Sequence, residues 1–288
     1  MYRFSVVIPA YNEEKYIGRC LESLKRQNYK GFLEIIVSNN ASTDNTKEVA
    51  ESYGVRVVDE PQKGISYALR KGVSEATGEI LVFTDADTEL PVDWIEKINK
   101  KFEEDKNLYA IGGPYLFYDA DVAINFFMKQ FVFRIYKKVA PTLLPCVNMA
   151  VKKEIYDLVG GFNTEINWGQ DIDLSKRIRQ HGKIEFDPQI YVITSFRRYS
   201  GGYETKIVAA AHAVKELSVQ LTRCFLVVKR GKIYSKTQKE IREPIRFPGF
   251  IKLTTDIAKK VKFPKSSARL NSQTKTRETS ASKSKSKK

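Results

Sequence analysis

The first 105 residues alternate between short apolar runs and helical periodicity, and this alternation limits the folds open to the chain. Residues 4–9 (FSVVIP), 33–39 (LEIIVSN) and 79–84 (EILVFT) are apolar runs of strand length, and 55–59 (VRVVD) is a shorter one. Near-continuous apolar runs suit strands covered on both faces, as in parallel sheets. After the first run, Tyr16, Ile17, Cys20, Leu21 and Leu24 recur at three- and four-residue spacing, which predicts an amphipathic helix over 13–27. Residues 43–49 read as a capped helix start and 64–76 as a helix. Pro91 stands in the first turn of a further helix that runs to about Glu104. Strands and helices joined by a few residues form βαβ units: a mainly parallel sheet with helices on both faces. Ligands of such sheets bind beyond the carboxyl ends of the strands. Three segments therefore converge there: Ala10-Tyr11-Asn12-Glu13, Asn39-Asn40-Ala41-Ser42 and Asp85-Ala86-Asp87.

Beyond residue 105 the pattern is less regular. It predicts a strand at 108–112, a Phe-rich helix over 121–138, a strand at 146–151, and a helix from Lys152 to the turn Gly160-Gly161-Phe162. Another helix opens at 168–174 and reaches His181, a strand covers 191–196, and a long helix covers 205–229. From about Ser266 the chain is rich in Ser, Thr and Lys and is expected to be disordered.

Asp85 and Asp87 follow a buried strand. Two hard carboxylates there suit Mg²⁺ or Mn²⁺, ions that keep several waters and share substrate phosphates. The bland alternative is a solvated acidic turn with Asp87 as a helix cap; the strand before the pair and the Pro91 helix after it favour the cation. Two histidines leave little room for a His base, and three well-separated cysteines without a CxxC spacing argue against a disulfide framework or zinc site. The cysteine usage fits a reducing compartment. The N-terminus reads as lacking a signal peptide, and no run of 18 uncharged apolar residues predicts a membrane span. The expected location is cytoplasmic, with peripheral contact at the cytoplasmic membrane face.

The order of these segments resembles the inverting family-2 glycosyltransferases with the GT-A fold. Residues 5–13 (SVVIPAYNE), 35–44 (IIVSNNASTD), 68–72 (ALRKG), 76–87 (ATGEILVFTDAD), 148–150 (NMA), 160–163 (GGFN) and Gln170-Asp171 carry the likeness, which spans about residues 3–200. It implies a three-layer α/β/α, Rossmann-like GT-A domain with a mainly parallel central sheet. Pro9, Ala10, Tyr11 and Glu13 would line the nucleotide pocket, Asn40 would take the place of an acidic base-contacting residue, and Ala86 would touch the donor. Asp85 would reach the ribose or the metal, Asp87 would be the main metal ligand, and Asp171 the general base. The donor would be a UDP- or GDP-linked sugar, the cofactor Mg²⁺ or Mn²⁺, and the acceptor a glycan or polyprenyl-linked molecule.

Three positions depart from the family pattern. Asn39-Asn40 replace an acidic pair and lose its charge, which leaves uracil and guanine both open as the base. Gln170 replaces the usual Glu before Asp171. Cys146 stands where Gly is common. Asp171 and Asp173 also sit in a first helical turn, where the dipole alone favours acids; family spacing favours catalysis for Asp171, and Asp173 reads as structural. Lys63 reads as a phosphate contact or a solvated lysine. The same departures motivate a second reading, a non-catalytic sugar-nucleotide binder or scaffold. A nucleotidyltransferase would want a Gly-rich basic loop after the first strand, which residues 10–13 do not supply.

Charge divides the chain. Residues 1–199 hold 27 basic and 28 acidic residues, whereas 200–288 carry the excess behind the net charge of +15. The expected layout is a catalytic domain over 1–199 (donor half about 1–105, acceptor half about 106–199), a basic helical extension over 200–265, and a tail over 266–288. Phe247, Phe250, Ile251, Leu253 and Phe263 alternate with Arg246, Lys252, Lys259, Lys260 and Lys262, a mixture that suits an anionic membrane surface. A helix packed on the body with a solubilising tail is the bland alternative. Nucleic acid is disfavoured, because the extension shows no recognised nucleic-acid-binding motif.

Overall fold

The computed structural model describes residues 1–132, 142–166 and 169–197. The helix expected at 205–229, the basic extension and the tail lie outside the described residues.

Strands β1 (Phe4–Ala10), β2 (Leu33–Asn39), β3 (Arg56–Asp59) and β4 (Ile80–Phe83) pair in parallel, with β1 between β2 and β4. Beyond β4 the sheet continues through β8 (Met149–Lys152), β6 (Leu108–Gly112) and β9 (Lys183–Phe186), in the order β3-β2-β1-β4-β8-β6-β9. β8 runs antiparallel to both its neighbours, while β6 and β9 pair in parallel. A second sheet joins β5 (Thr88–Glu89), β10 (Val192–Thr194) and β7 (Tyr115–Phe117).

The pleat divides each strand between two cores. Val6, Ile8, Val37 and Val82 pack with Leu21 and Leu24 of α1 (Ile17–Lys25), Ala50 of α2 (Thr46–Ser52) and Trp94 and Phe102 of α4 (Trp94–Glu104). Val7, Ile36, Leu81 and Phe83 pack on the other face with Leu69 and Val73 of α3 (Ile65–Ser74), Ile155 of α6 (Lys153–Leu158) and Leu174 and Ile178 of α7 (Gln170–Arg179). Neighbouring strand residues thus serve opposite layers, which is why the runs are apolar on successive positions. This is the three-layer α/β/α arrangement expected.

Several boundaries differ from the sequence expectation for identifiable reasons. α1 begins at Ile17 rather than Glu13, because the backbone N–H groups of Asn12, Glu13 and Glu14 donate to Ser42 Oγ, Thr46 Oγ1 and Asp44 Oδ2. The strand expected at 146–151 starts as a 3-10 turn, Cys146–Asn148. There Asn148 is engaged through its side chain, accepting from Trp94 Nε1 at 3.1 Å and donating to the carbonyls of Pro114 and Ile190. Of the Phe-rich helix expected over 121–138, the described residues form α5 (Val122–Phe127) and a π-helical turn, Met128–Val132; 133–138 lie outside the described residues. β5, β7 and β9, of two, three and four residues, lie outside the runs expected from the sequence, being too short to show a periodicity.

Candidate active site

The loops after β1, β2 and β4 meet at the carboxyl edge of the sheet and enclose a cavity of about 320 Å³. Pro9, Ala10, Tyr11 and Glu13 line it from the end of β1 and the loop after it, Asn40 from the loop after β2, and Asp85, Ala86 and Asp87 from the loop after β4. All eight residues assigned to donor and metal from the sequence therefore lie in one concavity. Lys63, Gly64, Ile65 and Ala68, at the start of α3, and Arg197, just after β10, complete it.

The loops are held by each other's polar groups. Asn12 Oδ1 accepts from Thr43 N at 2.8 Å, and Glu14 Oε2 accepts from Asn45 N at 3.1 Å. The Ser42-Thr43-Asp44 segment thus works as a clamp on the loop after β1. Hydrogen bonds from Thr46 and from the Glu14 amide hold the Asp44 carboxyl below its ordinary pKa against a desolvation that acts the other way.

Asn40 spends its side chain locally. Its Nδ2 donates to the carbonyls of Glu60 (3.1 Å) and Gln62 (2.7 Å), and its Oδ1 accepts from Gly64 N at 2.8 Å. Both amide hydrogens are committed to fixing the 60–64 loop, so the residue shapes the cavity wall. That loop carries Lys63, whose Nζ lies 4.8 Å from the Tyr11 ring centroid and donates to Tyr11 Oη at 3.1 Å. Gly64 has φ +145°, a region that L residues rarely adopt. Asn39 donates to Asp59 Oδ1 at 2.9 Å.

Asp87 is already charge-paired. Its Oδ1 accepts from Thr194 Oγ1 at 3.1 Å and its Oδ2 from Arg197 Nε at 3.0 Å. Arg197 Nη2 also reaches Glu13 Oε2 at 2.6 Å. Asp85 and Asp87 offer hard oxygens, and a positive group already sits on Asp87. Among the described residues no cluster of three or more His, Cys, Asp or Glu could cage an ion. One or two carboxylates completed by substrate phosphates and water is a set that fits Mg²⁺ or Mn²⁺. Burial pushes the Cys20 and Cys146 thiols up, so both stay protonated and are poor nucleophiles.

Asp171 lies apart from the residues that line the cavity. It opens α7 after Gly169 (φ +80°) and accepts from Cys146 N at 3.3 Å and Ile172 N at 2.8 Å. The residue retains some exposure, yet desolvation of its carboxyl raises the pKa above the ordinary 3.8, with those N–H groups opposing. Asp173 is buried and pairs with Arg177 at 2.6 Å, and Arg177 also donates to the carbonyls of Val159 and Gly161. Its role is to tie α7 to the turn after α6.

Arg197 and Thr194 were missed in the sequence. Arg197 follows an apolar strand, as the other site loops do, and inspecting what comes after 191–196 would have found it; Thr194 is the last residue of β10 and carries no such signal.

The fold and this cavity define an α/β protein with a concave site at the carboxyl edge of a mainly parallel sheet. Residues 5–156 match the sequence profile of Glycosyl transferase family 2. The chain belongs to that family. Among curated relatives, it is 30% identical to glycosyltransferase AglE of Haloferax volcanii over 197 residues, 62% of each chain. It is 30% identical to glycosyltransferase GlyA of Streptococcus pneumoniae over 124 residues, 41% of this chain and 18% of that one. It is 29% identical to the hyaluronan synthase of Pasteurella multocida over 235 residues, 79% of this chain and 23% of that one. The chain thus spans less than two thirds of these relatives' length. In fold it resembles the mannosyltransferase PcManGT of Pyrobaculum calidifontis, solved with GDP-Man and Mn²⁺ (TM-score 0.58, 23% identity, 77% of this chain and 64% of that one). It also resembles residues 1–349 of S. aureus TarS with UDP-GlcNAc (TM-score 0.55, 19% identity, 78% and 66%). The fold is GT-A.

Proposed function

We propose that this chain is an inverting glycosyltransferase that moves a sugar from a UDP- or GDP-linked donor to a hydroxyl or phosphate of a glycan, lipid-linked sugar or polyprenyl phosphate. The observation that carries the reading is the meeting of Asp85 and Asp87 with the loops after β1 and β2 in one cavity. The solved relatives with GDP-Man and UDP-GlcNAc support a nucleotide-sugar donor. Asp87, with Asp85, would hold Mg²⁺ or Mn²⁺, which when bound supplies positive charge to the departing diphosphate. Tyr11 offers a half-exposed ring for a nucleobase, and Asn40 holds the neighbouring 60–64 loop, whose Lys63 reaches Tyr11. Asp171 takes the acceptor proton; its raised proton affinity suits a general base, an effect worth about 10²–10⁴-fold. A single displacement of this kind inverts the anomeric carbon. Peripheral contact with an anionic membrane belongs to the basic extension, which would bring the protein to lipid-linked acceptors. Among the described residues no helix is long and apolar enough to cross a membrane.

The test is a panel of UDP- and GDP-sugars with Mn²⁺ or Mg²⁺ and membrane extract as acceptor, read by mass spectrometry. Turnover is expected in the native protein and its loss in Asp87→Ala and Asp171→Asn. Donor binding by calorimetry with no turnover across the panel would instead establish a sugar-nucleotide-binding scaffold.

A further inference from the structure

Arg197 bridges two carboxylates that belong to different strand ends, Glu13 after β1 and Asp87 after β4. Its position is built from several sides. Asp119 accepts from Ser195 Oγ at 2.7 Å and from Phe196 N; Arg197 N donates to Ser195 Oγ at 3.2 Å. Thr88 Oγ1 donates to Thr194 Oγ1 at 3.1 Å, locking β10 beside the metal-motif turn. The guanidinium carbon lies 4.2 Å from the Tyr16 ring centroid, a stacked arrangement that fixes the plane of the fork. Burial disfavours the Arg197 charge, yet Glu13 and Asp87 together raise its pKa, so the cation is firmly held.

The consequence lies in what Arg197 covers. A divalent ion on Asp87 would need one of its carboxylate oxygens, and both are already engaged: the guanidinium sits on Oδ2 at 3.0 Å and the Thr194 hydroxyl on Oδ1 at 3.1 Å. Two cations therefore compete for one carboxylate. A nucleoside diphosphate changes that balance: its phosphate oxygens match the planar fork of an arginine better than a single carboxylate oxygen does. We propose that Arg197 is an exchangeable counter-ion and donor-positioning residue. In the donor-free protein it bridges Asp87 and Glu13, its one positive charge offsetting one of their two negative charges; when the diphosphate enters with a divalent ion, the ion takes Asp87 and Arg197 turns to the diphosphate while remaining on Glu13. For a nucleotide-sugar, whose diphosphate carries −2, the exchange conserves charge, because the incoming +2 and −2 add nothing to the site; UDP or GDP brings roughly one further negative charge for Arg197 to offset. It makes ion and nucleotide bind cooperatively, each raising the affinity of the other by the same factor. This inference rests on the glycosyltransferase reading for the identity of the diphosphate, but not for the competition at Asp87.

The experiment measures Mn²⁺ affinity by electron paramagnetic resonance, without nucleotide and with saturating UDP or GDP. The proteins are the full chain and its Arg197→Ala, Arg197→Gln and Arg197→Lys variants. Removing the cation with Ala or Gln is expected to tighten Mn²⁺ binding in the absence of nucleotide by roughly tenfold, and to weaken nucleotide binding in its presence by a similar factor. Lys should fall between. Gln fills more of the space and guards against an unfolded Ala variant, and a larger Mn²⁺-induced rise in melting temperature in Gln than in the native chain is a second readout. Equal or weaker Mn²⁺ binding by both neutral variants without nucleotide, including no binding by any protein, overturns the proposal. Unaltered nucleotide affinity overturns the positioning half. An absence of donor turnover in the native chain would count against the glycosyltransferase reading alone, since the Mn²⁺-only comparison does not depend on it.

Discussion

Asp171, proposed above as the general base, would serve chemistry at the expense of the fold. Desolvation raises its pKa, so the folded state holds the proton over a pH range in which the unfolded chain has released it. Stability from this group is fully present below about 3.8 and is lost as pH rises through the raised folded value. Asp171→Asn is therefore expected to melt higher than the native chain at pH 7, with the gap closing as pH falls below 4. Thermal melts across pH check this. Turnover should decline on acidification with a midpoint above the ordinary carboxylate value, visible in the acid limb of kcat against pH. Asn40 presents the opposite case, a polar residue absorbed by structure. Its replacement by Ala strands the Gly64 N–H and two loop carbonyls, and is expected to cost about 2 kcal/mol in chemical unfolding. The same variant should weaken nucleotide binding, because the 60–64 loop forms part of the cavity wall.

At the scale of elements, α3 links core packing to the site. A Cβ at Gly72 would lie 2.4 Å from Val7 Cγ1, a stiff side chain in the middle of β1. The helix approaches β1 closely because that position has no side chain. Gly72→Ala must push α3 outward, at a cost of about 1–3 kcal/mol. Gly64, Ile65 and Ala68 line the cavity from the same helix start, so the displacement should also reduce UDP or GDP affinity in calorimetry. Normal binding in a destabilised Gly72→Ala protein would show that the helix start is held independently, through Asn40. The small sheet of β5, β10 and β7 plays the corresponding role on the other side, setting Thr194 and Arg197 against Asp87.

For the whole molecule, the excess positive charge and the candidate site occupy different parts of the chain. Residues 1–199 are nearly neutral, with Glu13, Asp85 and Asp87 in the loops that follow β1 and β4; the excess of Lys and Arg over Asp and Glu lies in residues 200–288. Deleting 262–288 is expected to leave donor turnover on a soluble acceptor nearly intact and to weaken sedimentation with anionic vesicles. Vesicle binding equal to that of the full chain would remove the tail from membrane attachment.

The sequence by itself determined the layered architecture and the loops that line the cavity. Runs apolar on successive residues have few stable solutions other than a strand covered on both faces, and the carboxyl end of such a strand is where residues 10–13, 39–42 and 85–87 had to meet. Short-range order is legible because it depends on periodicity within a dozen residues. Periodicity carries no information about which polar group satisfies another a hundred positions away. Only the tertiary structure decided that Asn40 turns to the 60–64 loop, that β8 enters the sheet antiparallel, and that Arg197, 110 positions from Asp87, closes over it. Those outcomes follow from the need to pair buried charge and buried hydrogen-bonding groups, which is settled among neighbours in space.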